Sequence, residues 1–160
     1  YALGTGLLMA LACDMRIAEQ NAIVGIPIAR LGITLSETFV RRIVALTGPA
    51  KMKDLVYTGR LLDGEEAMRL GLVDRVVPQN ESVLHETLQI SRVIRQQSLA
   101  SLLAAKRWGG SGSGRVPAAY SHVDADDFSE GVRAFLEQRS PRFYEAVVQR
   151  EGQKPSSGMR

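Results

Sequence analysis

Few residues in this chain combine a type and a spacing that could do chemistry. Gly4-Thr5-Gly6 lies between Tyr1-Ala2-Leu3 and an apolar run from Leu7 to Cys13, which outlines the end of a strand, a tight turn and a helix. A dinucleotide fingerprint would need a third glycine three residues beyond Gly6, and Met9 stands there. A phosphate loop would need Gly-Lys followed by Ser or Thr, which is absent. Two readings of the turn stay open. Free amides at the helix N-terminus could face an oxygen that gains negative charge, or the turn only packs the helix on the sheet.

The other candidates are weaker. His85 and His122 stand alone on expected helices, without partners at metal-ligand spacing, and read as solvated or packed side chains. Cys13 ends an apolar helix with no paired histidine and is expected to be a buried small hydrophobe. Asp124, Asp126, Asp127 and Glu130 lack EF-hand spacing and read as a solvated acidic face or as intersubunit ion pairs. Thr34-Leu35-Ser36-Glu37 fits a capping box, with Thr34 as N-cap and Glu37 at the third helical position.

The elements that must hold these side chains follow from the pattern. Residues 15–18 and 22–25 read as two short strands joined by the polar turn Glu19-Gln20-Asn21, and 27–33 as irregular. A helix is expected from about Ser36 to Leu46, stopped by Gly48-Pro49, and the next runs from Pro49 to Gly59. Asp63-Gly64-Glu65-Glu66 is a second capping-box outline, opening a short helix that ends at Gly71. Residues 72–77 alternate like a strand. Helices are expected over 82–97, 99–108, 118–138 and 141–150. The fold class is α/β, poor in strands and helical towards the C-terminus.

Composition sets the outer bounds. The 160 residues are enough for one domain, and 45% apolar with 23% charged is ordinary for a soluble globular protein. Twenty Lys and Arg against 17 Asp and Glu leave a net charge of +3. No basic block is interleaved with aromatics, so nucleic acid is not an expected partner. A single cysteine excludes an internal disulfide and points to a reducing, cytoplasmic setting. The first apolar run soon meets Asp14 and Arg16. It is too short for a transmembrane helix and lacks the basic start of a signal peptide, so no membrane partner is expected.

Taken together, YALGTGLLMALACDMRIA, VGIP, LG and TGRLLDGEEAMRLGLVDRVVP resemble the enoyl-CoA hydratase/isomerase (crotonase) superfamily. The match runs from Tyr1 to Pro78 without a gap and continues more weakly through Asp126-Asp127-Phe128-Ser129-Glu130-Gly131 and Ala134-Phe135-Leu136-Glu137. The resemblance implies a crotonase-like ββα spiral followed by a helical C-terminal trimerisation region, assembled as a homo-trimer or hexamer. Residues 1–78 would be the C-terminal part of the core, 79–108 a helical region, 109–117 a flexible linker, 118–151 the C-terminal helices and 152–160 a disordered tail. The substrate implied is a coenzyme A thioester, with no permanently bound cofactor and no metal.

The same resemblance assigns site residues. Thr5 would supply one of two backbone amides that hold the thioester oxygen as an enolate forms, with Gly4 and Gly6 letting the ligand approach. Phe135 corresponds to an aromatic brought towards the CoA adenine; the basic residue expected three positions later is Gln138, with Arg139 next to it. The second amide belongs to the family's N-terminal half, so the chain reads as a C-terminal portion: a truncation, an incomplete gene model or a cleaved chain.

Two departures decide the chemistry. The glutamates of family hydratases fall on Leu8 and Ile28, and neither side chain can transfer a proton, so conventional hydration is not expected. The isomerase route through the second position fails for the same reason. The acid position of the dehalogenase type falls on Ser36, which makes Glu37 the best candidate for a displaced acid/base, against its reading as a cap. Arg41, Arg42, Lys51 and Lys53 could meet CoA phosphates or serve only surface solubility. Two functions are therefore expected. One is an enolate-stabilising acyl-CoA enzyme of lyase or isomerase type, in fatty acid metabolism, that is not a conventional hydratase. The other is a truncated or degenerate non-catalytic homologue acting as an assembly or binding subunit.

Overall fold

Two short sheets organise the first part of the chain. In the computed structural model, which describes residues 1–109 and 124–143, strand β3 (Val24–Gly25) is central in one sheet. It pairs in parallel with β1 (Ala2–Leu3) and antiparallel with β4 (Leu61–Leu62). The other sheet is β2 (Ile17–Glu19) paired in parallel with β5 (Arg75–Val77). The two neighbouring strands expected at 15–18 and 22–25 therefore do not pair with each other. The turn between them, closed by Ala22 N–H to the Glu19 carbonyl at 3.0 Å, passes the chain from one sheet to the other. Strand β4 forms where the pattern predicts no strand.

Helices cover these sheets. They are α1 (Thr5–Ala12), α2 (Glu37–Thr47), α3 (Pro49–Thr58) and α4 (Gly64–Arg69), with a 3-10 helix over Pro27–Leu31 in the segment expected to be irregular. Leu7 and Leu11, one turn apart, put one face of α1 into the core, where Ile26, Ile43, Leu55, Leu62 and Leu72 are also fully buried. Each such side chain contributes roughly 1.5–3 kcal/mol of burial.

Local signals fix several helix ends. The Asp63 carboxylate accepts the Glu66 amide at 2.7 Å and starts α4, as its spacing predicts. The Glu66 carboxylate faces the Arg60 guanidinium at 3.4 Å, so only the Asp63 half of the capping box forms as read. Gly64 is demanded by close approach, because a Cβ there would strike the Glu19 carbonyl oxygen. Helix α3 ends at Gly59 in the left-handed region, φ 61°.

Arg16 is 7% exposed and carries several polar links at once. Its guanidinium donates to the carbonyls of Leu72 (2.8 Å) and Cys13 (2.9 Å) and meets Asp74. The end of α1, the start of β2 and the approach to β5 are thus held through one buried cation.

The chain divides into two units, Tyr1–Gln89 and Ile90–Arg160, with the boundary inside α5 (Val83–Arg95). In the second unit the described elements are α6 (Leu99–Gly109) and α7 (Ala125–Leu136). The acidic residues of α7 are not simply a solvated face. Asp124 caps the helix by accepting the Asp127 amide at 3.1 Å, and the buried Asp127 accepts the Ser98 hydroxyl at 2.5 Å. Glu130 accepts from Arg139 at 2.6 Å and from the Arg142 amide at 2.8 Å. The expected linker beyond Gly109, His122, the tail at 152–160 and most of the helix expected at 141–150 lie outside the described residues. Among the described residues no helix is long and apolar enough to cross a membrane.

Candidate active-site cleft

The turn before α1 is built for an open helix N-terminus. Gly4 adopts φ 52° and ψ −118°, a conformation that a Cβ penalises, and its amide donates to the Gly25 carbonyl of β3 at 3.0 Å. The first bond into α1 runs from the Leu8 amide to the Gly4 carbonyl at 3.1 Å. The amides of Thr5, Gly6 and Leu7 come ahead of it and have no acceptor within the helix, and no side chain caps them. Together with the helix dipole they favour negative charge at this end. Thr5 and Gly6 are exposed, and a Cβ at Gly6 would meet nothing within 4 Å.

This N-terminus opens on a cleft of about 470 Å³. Thr5 and Leu8 line it from α1, Ile28 and Leu31 from the 3-10 helix, and Ser36 and Phe39 from the start of α2. Leu8 is 7% exposed and Ile28 9%. A Cβ placed at Gly4 would lie 3.9 Å from Ile28 Cγ2, so Ile28 packs directly against the turn. The two positions that the resemblance gives to glutamates are brought to one cleft, and both are hydrocarbon. Among the described residues that line it, the polar side chains are the hydroxyls of Thr5, Thr34 and Ser36, and none is an acid, histidine, lysine or arginine.

Glu37 does not line the cleft. Helix α2 begins later than Thr34-Leu35-Ser36-Glu37 suggested: Ser36, not Thr34, is its N-cap, and no side-chain capping bond forms. Glu37 becomes the first helical residue, with its carboxylate bonded to Arg41 Nε one turn on, at 2.9 Å. Both side chains of that pair are 76% exposed.

The basic candidates have other partners. Arg42 donates to the Leu11 carbonyl at 2.9 Å and the Cys13 carbonyl at 3.3 Å, a cation placed at the C-terminus of α1. Lys51 and Lys53 are exposed on α3. Cys13, expected to be buried, is exposed, because α1 ends just before it and the chain turns extended there (φ −77°, ψ 157°).

Phe135 is on α7, 82% exposed, beside Phe128 (61%), Val132 (42%) and Leu136 (74%). Arg139 is engaged by Glu130 and Glu137, both at 2.6 Å. The Arg139 guanidinium, with the Arg142 amide, holds the Glu130 carboxyl well below its ordinary value, at about 2. Among the described residues no group of His, Cys, Asp and Glu could hold a metal ion. Sequence reasoning missed Leu31, Ile33 and Phe39 as cleft residues and Arg16 as a buried link. For the first two, the available signal was a pair of large apolar residues in a segment that reads as irregular.

Comparison with known proteins agrees with this architecture. The family model for enoyl-CoA hydratase/isomerase matches residues 1–146. The chain is 37% identical over 153 residues to the crotonyl-CoA hydratase of Syntrophomonas wolfei, covering 89% of this chain and 58% of that protein. It is 35% identical over 156 residues to the human mitochondrial enoyl-CoA hydratase domain-containing protein 2, covering 89% and 53%. A solved enoyl-CoA hydratase/carnithine racemase from Magnetospirillum magneticum superposes with a TM-score of 0.77 at 26% identity, over 89% of this chain and 55% of its own. Pseudomonas aeruginosa DspI does so with a TM-score of 0.74 at 32% identity, over 89% and 57%. The chain spans little more than half the length of the curated relatives it matches. Its α/β fold is crotonase-like, and it belongs to the enoyl-CoA hydratase/isomerase family of the crotonase superfamily.

Proposed function

We propose that this chain supplies the Thr5 part of an acyl-CoA thioester site, stabilising the thioester enolate without performing conventional hydration. The observation that carries the reading is the open N-terminus of α1 facing a cleft floored by Leu8 and Ile28. As a carbonyl carbon becomes part of an enolate, its oxygen gains negative charge, and the Thr5 amide is placed to donate to it. A backbone donor does not depend on its side chain, so Thr serves between Gly4 and Gly6. One such donor is worth about 2.7–4 kcal/mol of transition-state stabilisation. The open space at Gly6 keeps the approach clear.

Leu8 and Ile28 cannot hold or activate a water, so any proton transfer falls to other groups. Glu37 is the candidate acid/base on this chain, and that role requires its release from Arg41. The coenzyme A thioester enters as substrate rather than as a resident cofactor, and Phe135 would contact the adenine of a CoA held by a neighbouring subunit. The ββα spiral, a trimeric or hexameric assembly through the C-terminal helices and a cytoplasmic location belong to the same proposal.

A second reading has its own observation. Phe128, Val132, Phe135 and Leu136 form an exposed apolar stripe on α7, which suits a non-catalytic assembly or binding subunit. Titration of the 160-residue chain with butyryl-CoA and free CoA, beside a hydration assay with crotonyl-CoA, separates the readings. The thioester reading expects butyryl-CoA to bind more tightly than CoA, with no hydration above background. Hydration at ordinary enzymatic rates contradicts the assignment of Leu8 and Ile28. Equal or absent binding of the two ligands leaves the assembly reading.

A further inference from the structure

Helices α1 and α2 both begin at the cleft, α1 with Thr5 and Leu8 in its wall and α2 with Ser36 and Phe39. Away from the cleft one side chain ties them together. The guanidinium of Arg42, on the second turn of α2, donates from Nε to the Leu11 carbonyl at 2.9 Å and from Nη2 to the Cys13 carbonyl at 3.3 Å. The last carbonyls of a helix have no partner within it, so Arg42 fills acceptors that α1 leaves open. The Cys13 carbonyl also accepts from the buried Arg16 at 2.9 Å. Leu7 and Leu11 press one face of α1 into the core, but such contacts are non-directional and resist sliding along the axis only weakly. Directional bonds hold the two ends: Gly4 N–H to the Gly25 carbonyl at 3.0 Å in front, and the Arg42 fork behind. With eight residues α1 is about 12 Å long, so a slip at its end is passed on to the Thr5 amide.

We infer that Arg42 is a positioning residue: by pinning the C-terminal carbonyls of α1 to α2, it sets where the Thr5 amide stands against the Ser36 and Phe39 wall. The inference rests on the thioester reading above and adds to it the group that aims the donor. Arg42 itself does not line the cleft, so it acts on a bound thioester through α1. Donation to a developing oxyanion depends on placement, and a displacement of about 1 Å can cost roughly a hundredfold in rate. Arginine suits the position because its planar fork reaches two carbonyls at once, which a lysine ammonium at the end of a flexible stem does not reproduce.

The test is the infrared carbonyl stretch of carbonyl-labelled butyryl-CoA, saturated with the 160-residue parent, Arg42→Met or Arg42→Lys, each checked as folded by circular dichroism. Arg42→Met keeps an unbranched stem and removes both donors, and the stretch should lie most of the way back to the free-ligand position. Arg42→Lys keeps the charge and can reach one carbonyl, so its stretch should fall between those of the parent and Arg42→Met. A loss of stability alone does not move this frequency in the folded, bound fraction. A stretch at the parent's frequency in folded Arg42→Met overturns the inference while leaving the thioester reading intact. Should Arg42→Met fail to fold, the same result in Arg42→Lys overturns it. A parent that leaves the stretch at the free-ligand position overturns both.

Discussion

Arg16 and Asp74, 58 positions apart, are joined through backbone and side chain at once: the Arg16 amide donates to Asp74 Oδ2 at 2.7 Å, and the Arg16 guanidinium donates to Oδ1 at 3.0 Å. The Asp74 amide returns a bond to the Arg16 carbonyl at 2.9 Å. The Arg16 side chain is 6% exposed and that of Asp74 36%, so the cation is the buried partner. Asp74→Ala leaves it short of its counter-charge, and about 2–3 kcal/mol of stability should be lost. Urea unfolding checks this, and a loss under about 0.5 kcal/mol would show the pair to be idle.

Glu37 and Arg41 are an exposed pair one helical turn apart, a geometry worth about 0.3–0.5 kcal/mol. Glu37→Gln should therefore change stability by no more than that and leave butyryl-CoA affinity unaltered. Turnover of an acyl-CoA should be lost in the same variant while binding is kept, as the acid/base role proposed for Glu37 requires, and unchanged turnover would remove that role and leave only the pairing with Arg41.

The second unit should show a pH-dependent tie. The Glu130 carboxyl is held at about 2, against an ordinary 4.5, chiefly by the Arg139 guanidinium. In the pH interval between those values the unfolded chain binds more protons than the folded one. The stabilisation is thus complete above about pH 4.5 and fades as pH falls towards 2. Glu130→Gln should be less stable than the parent at pH 7, with the difference shrinking below pH 4.5. A difference that is constant from pH 7 to pH 3 would remove the ion pair as its cause.

What the sequence made legible was local. Asp63 as a cap and Gly59 as a helix stop each depend on residues a few positions apart, and each is found where its spacing puts it. Of the expected turn Gly4-Thr5-Gly6 only Gly4 precedes the helix, which starts at Thr5 rather than at Leu7. The pairing of β2 with β5, the short strand Leu61–Leu62 and the burial of Arg16 depend on partners tens of residues away, which no window reveals. Thr34-Leu35-Ser36-Glu37 shows the limit in the other direction. Its spacing fits a capping box, yet Ile33, Thr34, Leu35 and Ser36 are part of the cleft wall and the helix starts only at Glu37. The cleft itself joins α1 to that distant wall, so Leu8 and Ile28 were legible as substitutions but not as a shared floor.

The central claim is that the amide of Thr5, and not its side chain, polarises a thioester carbonyl. Thr5→Pro removes that N–H at the first position of α1, where proline suits a helix and no intrahelical bond is lost, while Thr5→Ala keeps it. Infrared difference spectra of carbonyl-labelled butyryl-CoA bound to the parent and the two variants read the hydrogen bond directly. The carbonyl stretch should fall to lower frequency on the parent and on Thr5→Ala, and return to the free-ligand position on Thr5→Pro. A shift that survives Thr5→Pro, or disappears in a folded Thr5→Ala, would contradict the account.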